Sequence, residues 1–211
     1  MKTDSTCHSR PSVKKLRAFT LIELLCVVTV ISMLVAFVGL TVPASLASQR
    51  LSSAARQFSA DLNYATLLAG KESRPVELRF YQLPPSSGLG TVGYRGYQVG
   101  IVTSWDAQAR PQVTFKDEVQ RFPDDVVFMP DANYTTLYTA SPSDSEQTVG
   151  AVQGAPYVSY YIRSDGVTTL AQKDPAVFTL VRETSKGVPS TLPADYRSIV
   201  VDPQKHQTRV Y

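Results

Sequence analysis

The chain has 211 residues, 43% hydrophobic and 18% charged, a composition that argues against global disorder and for a folded protein. Its formal charge of +3 is uneven: Lys2, Arg10, Lys14, Lys15 and Arg17 against Asp4 give residues 1–18 about +4 and leave the rest near −1. No strong polyanion-binding field is implied for that bulk, and no disulfide can staple it, because Cys7 lies in the basic leader and Cys26 in the apolar run that follows.

In chain order, that apolar run comes first. The 19 residues Leu24–Val42 carry no formal charge. As a helix they reach about 28 Å, close to the roughly 30 Å hydrocarbon thickness of a bilayer. The Lys/Arg cluster before them predicts the N-terminus inside and the rest translocated. The run exceeds the usual h-region of a signal peptide, about 7–15 residues. Ser45 and Ala47 offer signal-peptidase spacing, and cleavage after Ala47 would release a secreted protein. Glu23 argues against that, since a carboxylate in a membrane segment costs up to about 2.5–3.5 kcal/mol and a plain signal peptide gains nothing from it.

The stretch "RAFTLIELLCVVTVISML" closely resembles the N-terminal signature of type IV prepilins and type II secretion pseudopilins. The resemblance implies a cut by prepilin peptidase between Ala18 and Phe19, N-methylation of Phe19, and Glu23 as the fifth residue of the mature chain. It also implies a single-pass protein of the bacterial inner membrane, N-terminus cytoplasmic and C-terminal domain periplasmic. Its partners would be other pilins or pseudopilins in a filament, the peptidase and the inner-membrane assembly platform. The family strongly favours glycine before the cut, where this chain has Ala18; alanine is small enough for processing to be expected. In a filament, Glu23 of one subunit can meet the α-amine of Phe19 in its neighbour, so the charge penalises wrong register more than correct assembly.

Pro43 is expected to kink or locally melt the helix. Beyond it Leu51, Ala55, Phe58, Leu62, Ala65 and Ala69 are spaced as one helical face, and Gly70 is a plausible cap. The sequence thus divides into a leader at 1–18, a transmembrane and filament-core helix at 19–42, an amphipathic extension at 43–70 and a β-rich domain at 71–211.

Strand patterns follow: "PVELRFY", with Val76, Leu78 and Phe80 opposed to Glu77, Arg79 and Tyr81, then "YRGYQVGIVT", "QVTFKDEV", "DVVFM", "YVSYYIR", "AVFTLVRE", "YRSIVVD" and "QTRVY". Asp165-Gly166 marks a hairpin-type turn, and 142–156 reads as a mobile loop. The expected fold is α+β, a long N-terminal helix packed on an antiparallel sheet or small sandwich, as in pilins. "AARQFSADLNYATLLAGKESRPVELRFY" resembles the H-type minor pseudopilins and related DNA-uptake pilins in part, with Tyr64-Ala65 in place of the usual Ala-Arg. The chain is also similar to the Verru_Chthon cassette protein D family.

Catalytic patterns are weak. "GLGTVG" at 88–93 matches the letters of a dinucleotide loop, but a strand follows it, where a phosphate site needs a helix N-terminus. Outside the leader His206 is the single histidine, too little for a triad or a His-based zinc site. Asp117-Glu118 and Asp124-Asp125 read as turn markers rather than acid/base pairs. No enzyme activity, cofactor or metal is expected. The eleven tyrosines suit an interface, but more simply suit strands. The leading expectation is a minor pilin or pseudopilin subunit. The alternative is a DNA-binding minor pilin using Lys205, His206 and Arg209, a weak cluster on a near-neutral domain.

Overall fold

The computed structural model describes residues 20–86, 88, 90–108, 110–115, 117–140, 152, 154–170, 174–202 and 207–211, with backbone alone at 36–44 and 207. Packing divides the chain into two units, Met1–Pro43 and Ala44–Tyr211. One helix, α1, is assigned over Leu21–Glu72 and contributes to both. Helical backbone continues through Pro43, where a kink or local melting was expected, so the helix does not melt there. The proline removes one bond of the ladder without ending the helix.

The end of α1 also departs from expectation. Gly70 stays helical and the chain turns at Ser73, the described non-glycine residue with positive φ, 52°. The Ser73 N–H donates to the Gly70 carbonyl and the Arg74 N–H to the Ala69 carbonyl, each at 3.3 Å. That is the double bond of a Schellman cap, with Pro75 just beyond it. A serine pays about 1–2 kcal/mol for a left-handed backbone, whereas glycine pays mainly in unfolded-state entropy. Ser73→Gly is therefore expected to stabilise the domain by about 0.5–1 kcal/mol, seen as a raised urea midpoint of the full chain in detergent.

Among the described residues nine strands follow: β1 (Val76–Leu83), β2 (Gly93–Trp105), β3 (Pro111–Phe115), β4 (Gln120–Arg121), β5 (Val126–Phe128), β6 (Tyr157–Ile162), β7 (Ala176–Arg182), β8 (Tyr196–Asp202) and β9 (Gln207–Val210). They form two antiparallel sheets, one in the order β3-β2-β1-β6 with β4 also on β2, the other β5-β7-β8-β9. The fold is α+β. Of the expected strand "QVTFKDEV", residues 112–115 fall in β3 and the short β4 begins just past it, and most of the expected loop at 142–156 lies outside the described residues.

All six residues of the anticipated helical face are buried, against Val76, Leu78 and Phe80 of β1 and apolar residues of both sheets. The opposite face of β1 is buried as well. The Arg79 guanidinium lies between the rings of Phe115, 4.8 Å away, and Tyr157, 4.7 Å away, with its Nε 3.0 Å from Glu77 Oε1. Gly100 leaves room for this layer: a Cβ there would fall 2.3 Å from Val113 Cγ1 and 2.8 Å from Phe115 Cδ1. The Tyr81 hydroxyl donates to Gln98 Oε1 at 2.9 Å, and burial pushes its pKa up to about 12.

Five of the eleven tyrosines are core residues. Tyr81, Tyr94, Tyr97, Tyr157 and Tyr160 are buried, so the interface reading does not hold for them. The "GLGTVG" segment connects β1 to β2, and β2 begins at its last glycine, so no helix follows. Asp124 and Asp125 sit in a turn, where the Asp124 carboxylate accepts the Ser86 N–H at 2.9 Å.

Candidate functional site in the first turns of the helix

Helix α1 opens with a cap. The Thr20 hydroxyl oxygen accepts the Glu23 N–H at 3.3 Å, and the Thr20 carbonyl accepts it at 3.1 Å. Thr-x-x-Glu is the signature of a capping box, and the pair was legible at 20–23. A Thr cap contributes about 1 kcal/mol, and a carboxylate in the first turn suits the positive end of the helix dipole. Glu23 is exposed in that first turn.

Around Glu23 the helix is apolar on every side. Leu21, Ile22, Leu24, Leu25, Val27, Val28, Val30, Ile31, Met33, Leu34 and Val35 are 48–83% exposed. Such a surface needs a lipid or protein cover. The two hydroxyls among the described side chains of the run are satisfied inside the helix. Thr29 donates to the Cys26 carbonyl and Ser32 to the Val28 carbonyl, each at 2.8 Å, so neither demands water. Among the described residues no helix is long and apolar enough to cross a membrane. The described side chains of the expected span end at Val35, and those at 36–44 lie outside them.

Residues 13–39 match the family model of the prokaryotic N-terminal methylation motif. The chain carries a prepilin-type motif. The motif supports a type IV pilin- or pseudopilin-type subunit that prepilin peptidase processes and that assembles with other pilins. It points to a structural subunit rather than an enzyme, and it suggests membrane anchoring. Ala18, Phe19 and Glu23 all fall inside the matched span. Comparison with curated proteins gave no match, and neither did comparison with solved structures.

Of these motif residues the structure places Glu23, beside Thr20; Ala18 and Phe19 lie outside the described residues. Of the cationic trio, Arg209 is exposed on β9, while Lys205 and His206 lie outside the described residues. Among the described residues no group of three or more His, Cys, Asp or Glu side chains is placed to hold a metal.

Proposed function

We propose that the chain is a minor pilin or pseudopilin, cut between Ala18 and Phe19, methylated on Phe19 and assembled into a filament of a type II secretion system or type IV pilus. It starts as a single-pass protein of the bacterial inner membrane, oriented by Lys14, Lys15 and Arg17 with the β-rich domain in the periplasm. The likeness of residues 54–81 to H-type minor pseudopilins supports a place among the minor subunits. The observation that carries the reading is a methylation motif whose single carboxylate, Glu23, sits among exposed apolar side chains.

The charge logic follows. A new amine at Phe19 would sit at the positive end of the α1 dipole, an unfavourable place for a cation. A carboxylate from an adjacent subunit offsets that, and Glu23 is the acidic residue of the first turn. A helix packed out of register would leave both charges unpaired in an apolar environment, at a cost of several kcal/mol.

Processing is tested by the intact mass of the chain after co-expression with a prepilin peptidase. The expected product lacks residues 1–18 and carries one extra methyl group; a product that keeps Met1 would sink the proposal. Glu23→Ala is expected to leave membrane insertion intact and reduce filament incorporation about tenfold or more, as one lost ion pair of ~1.4 kcal/mol already would. Unchanged incorporation in a pull-down of sheared filaments would show that Glu23 serves only the helix cap.

A further inference from the structure

Sheet edges expose backbone donors and acceptors, and folded proteins usually blunt them. Among the described residues the edge strands β3, β6 and β5 are blunted. Strand β3 begins at Pro111, and its register against β2 slips between Val102 and Ser104. Strand β6 is covered over its last residues, where Tyr161 exchanges bonds with Thr169, the Thr169 N–H reaching the Tyr161 carbonyl at 2.9 Å. On β5 the Val126 N–H donates to the Pro123 carbonyl at 2.8 Å, and the Val126 carbonyl accepts from Arg95 at 3.4 Å.

Strand β9 has no such device among the described residues. Its pairing with β8 fixes which way each amide points. Tyr211 and Ser198 exchange both backbone bonds, at 2.8 and 3.1 Å, so they form a hydrogen-bonded pair. Antiparallel ladders alternate, so Arg209↔Val200 is again such a pair, whereas Val210↔Ile199 and Thr208↔Val201 are not. The N–H and C=O groups of Thr208 and Val210 therefore face the open side of the sheet. Val210 is 40% exposed there and Tyr211 64%.

The charge on the edge selects the occupant. Two copies pairing β9 with β9 in the register that engages both Thr208 and Val210 would set Arg209 opposite Arg209, which is repulsive. We propose that β9 accepts an added strand from a different partner segment, one with Asp or Glu opposite Arg209. The inference rests on the β-rich unit alone and stands or falls independently of processing at Phe19.

The test uses the full chain in detergent and two acetylated nine-residue peptides, one alternating Thr and Glu, the other Thr and Lys, followed by fluorescence anisotropy. The Thr/Glu peptide is expected to bind saturably and about tenfold tighter than the Thr/Lys peptide. Val210→Pro removes an outward N–H while sparing the Arg209 and Tyr211 bonds to β8, and should weaken binding about tenfold. Arg209→Glu, which changes no backbone group, should invert the peptide preference. Failure of both peptides to bind, equal binding by Val210→Pro, or no inversion in Arg209→Glu would overturn the proposal. So would salt-sensitive retention of duplex DNA in place of the peptides, lost in Arg209→Glu and kept in Val210→Pro, since that pattern reads a cation and no strand edge.

Discussion

Phe58→Ala is expected to lower the stability of the β-rich unit by about 3–5 kcal/mol, the upper part of the range for core truncations. Phe58 is fully buried on α1 and meets five aromatic rings edge-on. Phe80 and Tyr97 belong to one sheet, at 5.8 and 5.0 Å between centroids, and Phe128 and Phe178 to the other, at 5.4 and 5.3 Å. Phe122, at 6.1 Å, fills the gap between β4 and β5. One ring is thus the wedge on which both sheets close. Its removal forfeits the transfer term and the edge-to-face contacts, and rigid rings around the hole collapse poorly. Domains of this size have only about 5–15 kcal/mol in hand, so most of the margin would go. Urea unfolding measures the loss, with Phe58→Leu as a control expected to retain more than half of it. A loss under about 1 kcal/mol would mean that the sheets hold each other without the helix. The motif at 13–39 lies outside the β-rich unit, so the variant should still be cut by the peptidase while its cellular level falls.

Legibility in the sequence followed the range of the interaction. The helical face ending at Ala69 is a local pattern, set by a 3.6-residue period, and every one of its residues is buried. The Phe19–Leu25 signature is local too, which is why 27 residues sufficed for a family match when nothing in the β-rich domain gave one. Thr20 is equally local, a cap three residues before Glu23, but the apolar run around Glu23 makes a membrane carboxylate the stronger signal at that spacing. Ser73 is a different failure. A left-handed residue is inferred from glycine, and Gly70 places the expected helix end three residues early. Glu77, Arg79 and Tyr81 mark the deeper limit. Their alternation against Val76, Leu78 and Phe80 was right, but the solvation of a face depends on what lies over it. Here Val152 packs against Tyr81 and Leu83, and Phe115 covers Arg79, contacts made across 36 to 71 residues of sequence. No window of a few residues contains that information.

The Arg95 guanidinium shows the same long reach, and Arg95→Ala is expected to cost about 3 kcal/mol, the low end of the range for leaving one partner of a buried pair. From β2 it pairs with the Glu183 carboxylate just past β7, both side chains more than nine-tenths buried. It also donates to the Asp124 carbonyl at 2.9 Å and to the Thr91 carbonyl at 3.1 Å. One side chain therefore ties the β1–β2 connection, the Asp124-Asp125 turn and the end of β7. Gly90, with φ 141°, is needed beside it: a Cβ there would fall 2.8 Å from Glu183 Oε2 and 2.7 Å from Pro85 Cγ. Burial alone would push the Glu183 pKa up, but the Thr91 N–H at 3.0 Å, its hydroxyl at 2.7 Å and the Arg95 charge hold it below the usual glutamate range. The wild-type contribution is thus complete above the unfolded pKa, about 4.3, and is lost as pH falls through the lowered folded value. Without Arg95 the carboxylate is left on Thr91 alone in a desolvated site, so protonation relieves the variant while it weakens the wild type. The difference between them should be widest near neutral pH and shrink steadily toward about pH 3. Glu183→Gln, which removes the charge and keeps the shape, should cost less in the Arg95→Ala background than in the wild type. A gap that stays constant across that pH range would place the loss in the carbonyl contacts of Arg95 and take Glu183 out of the account.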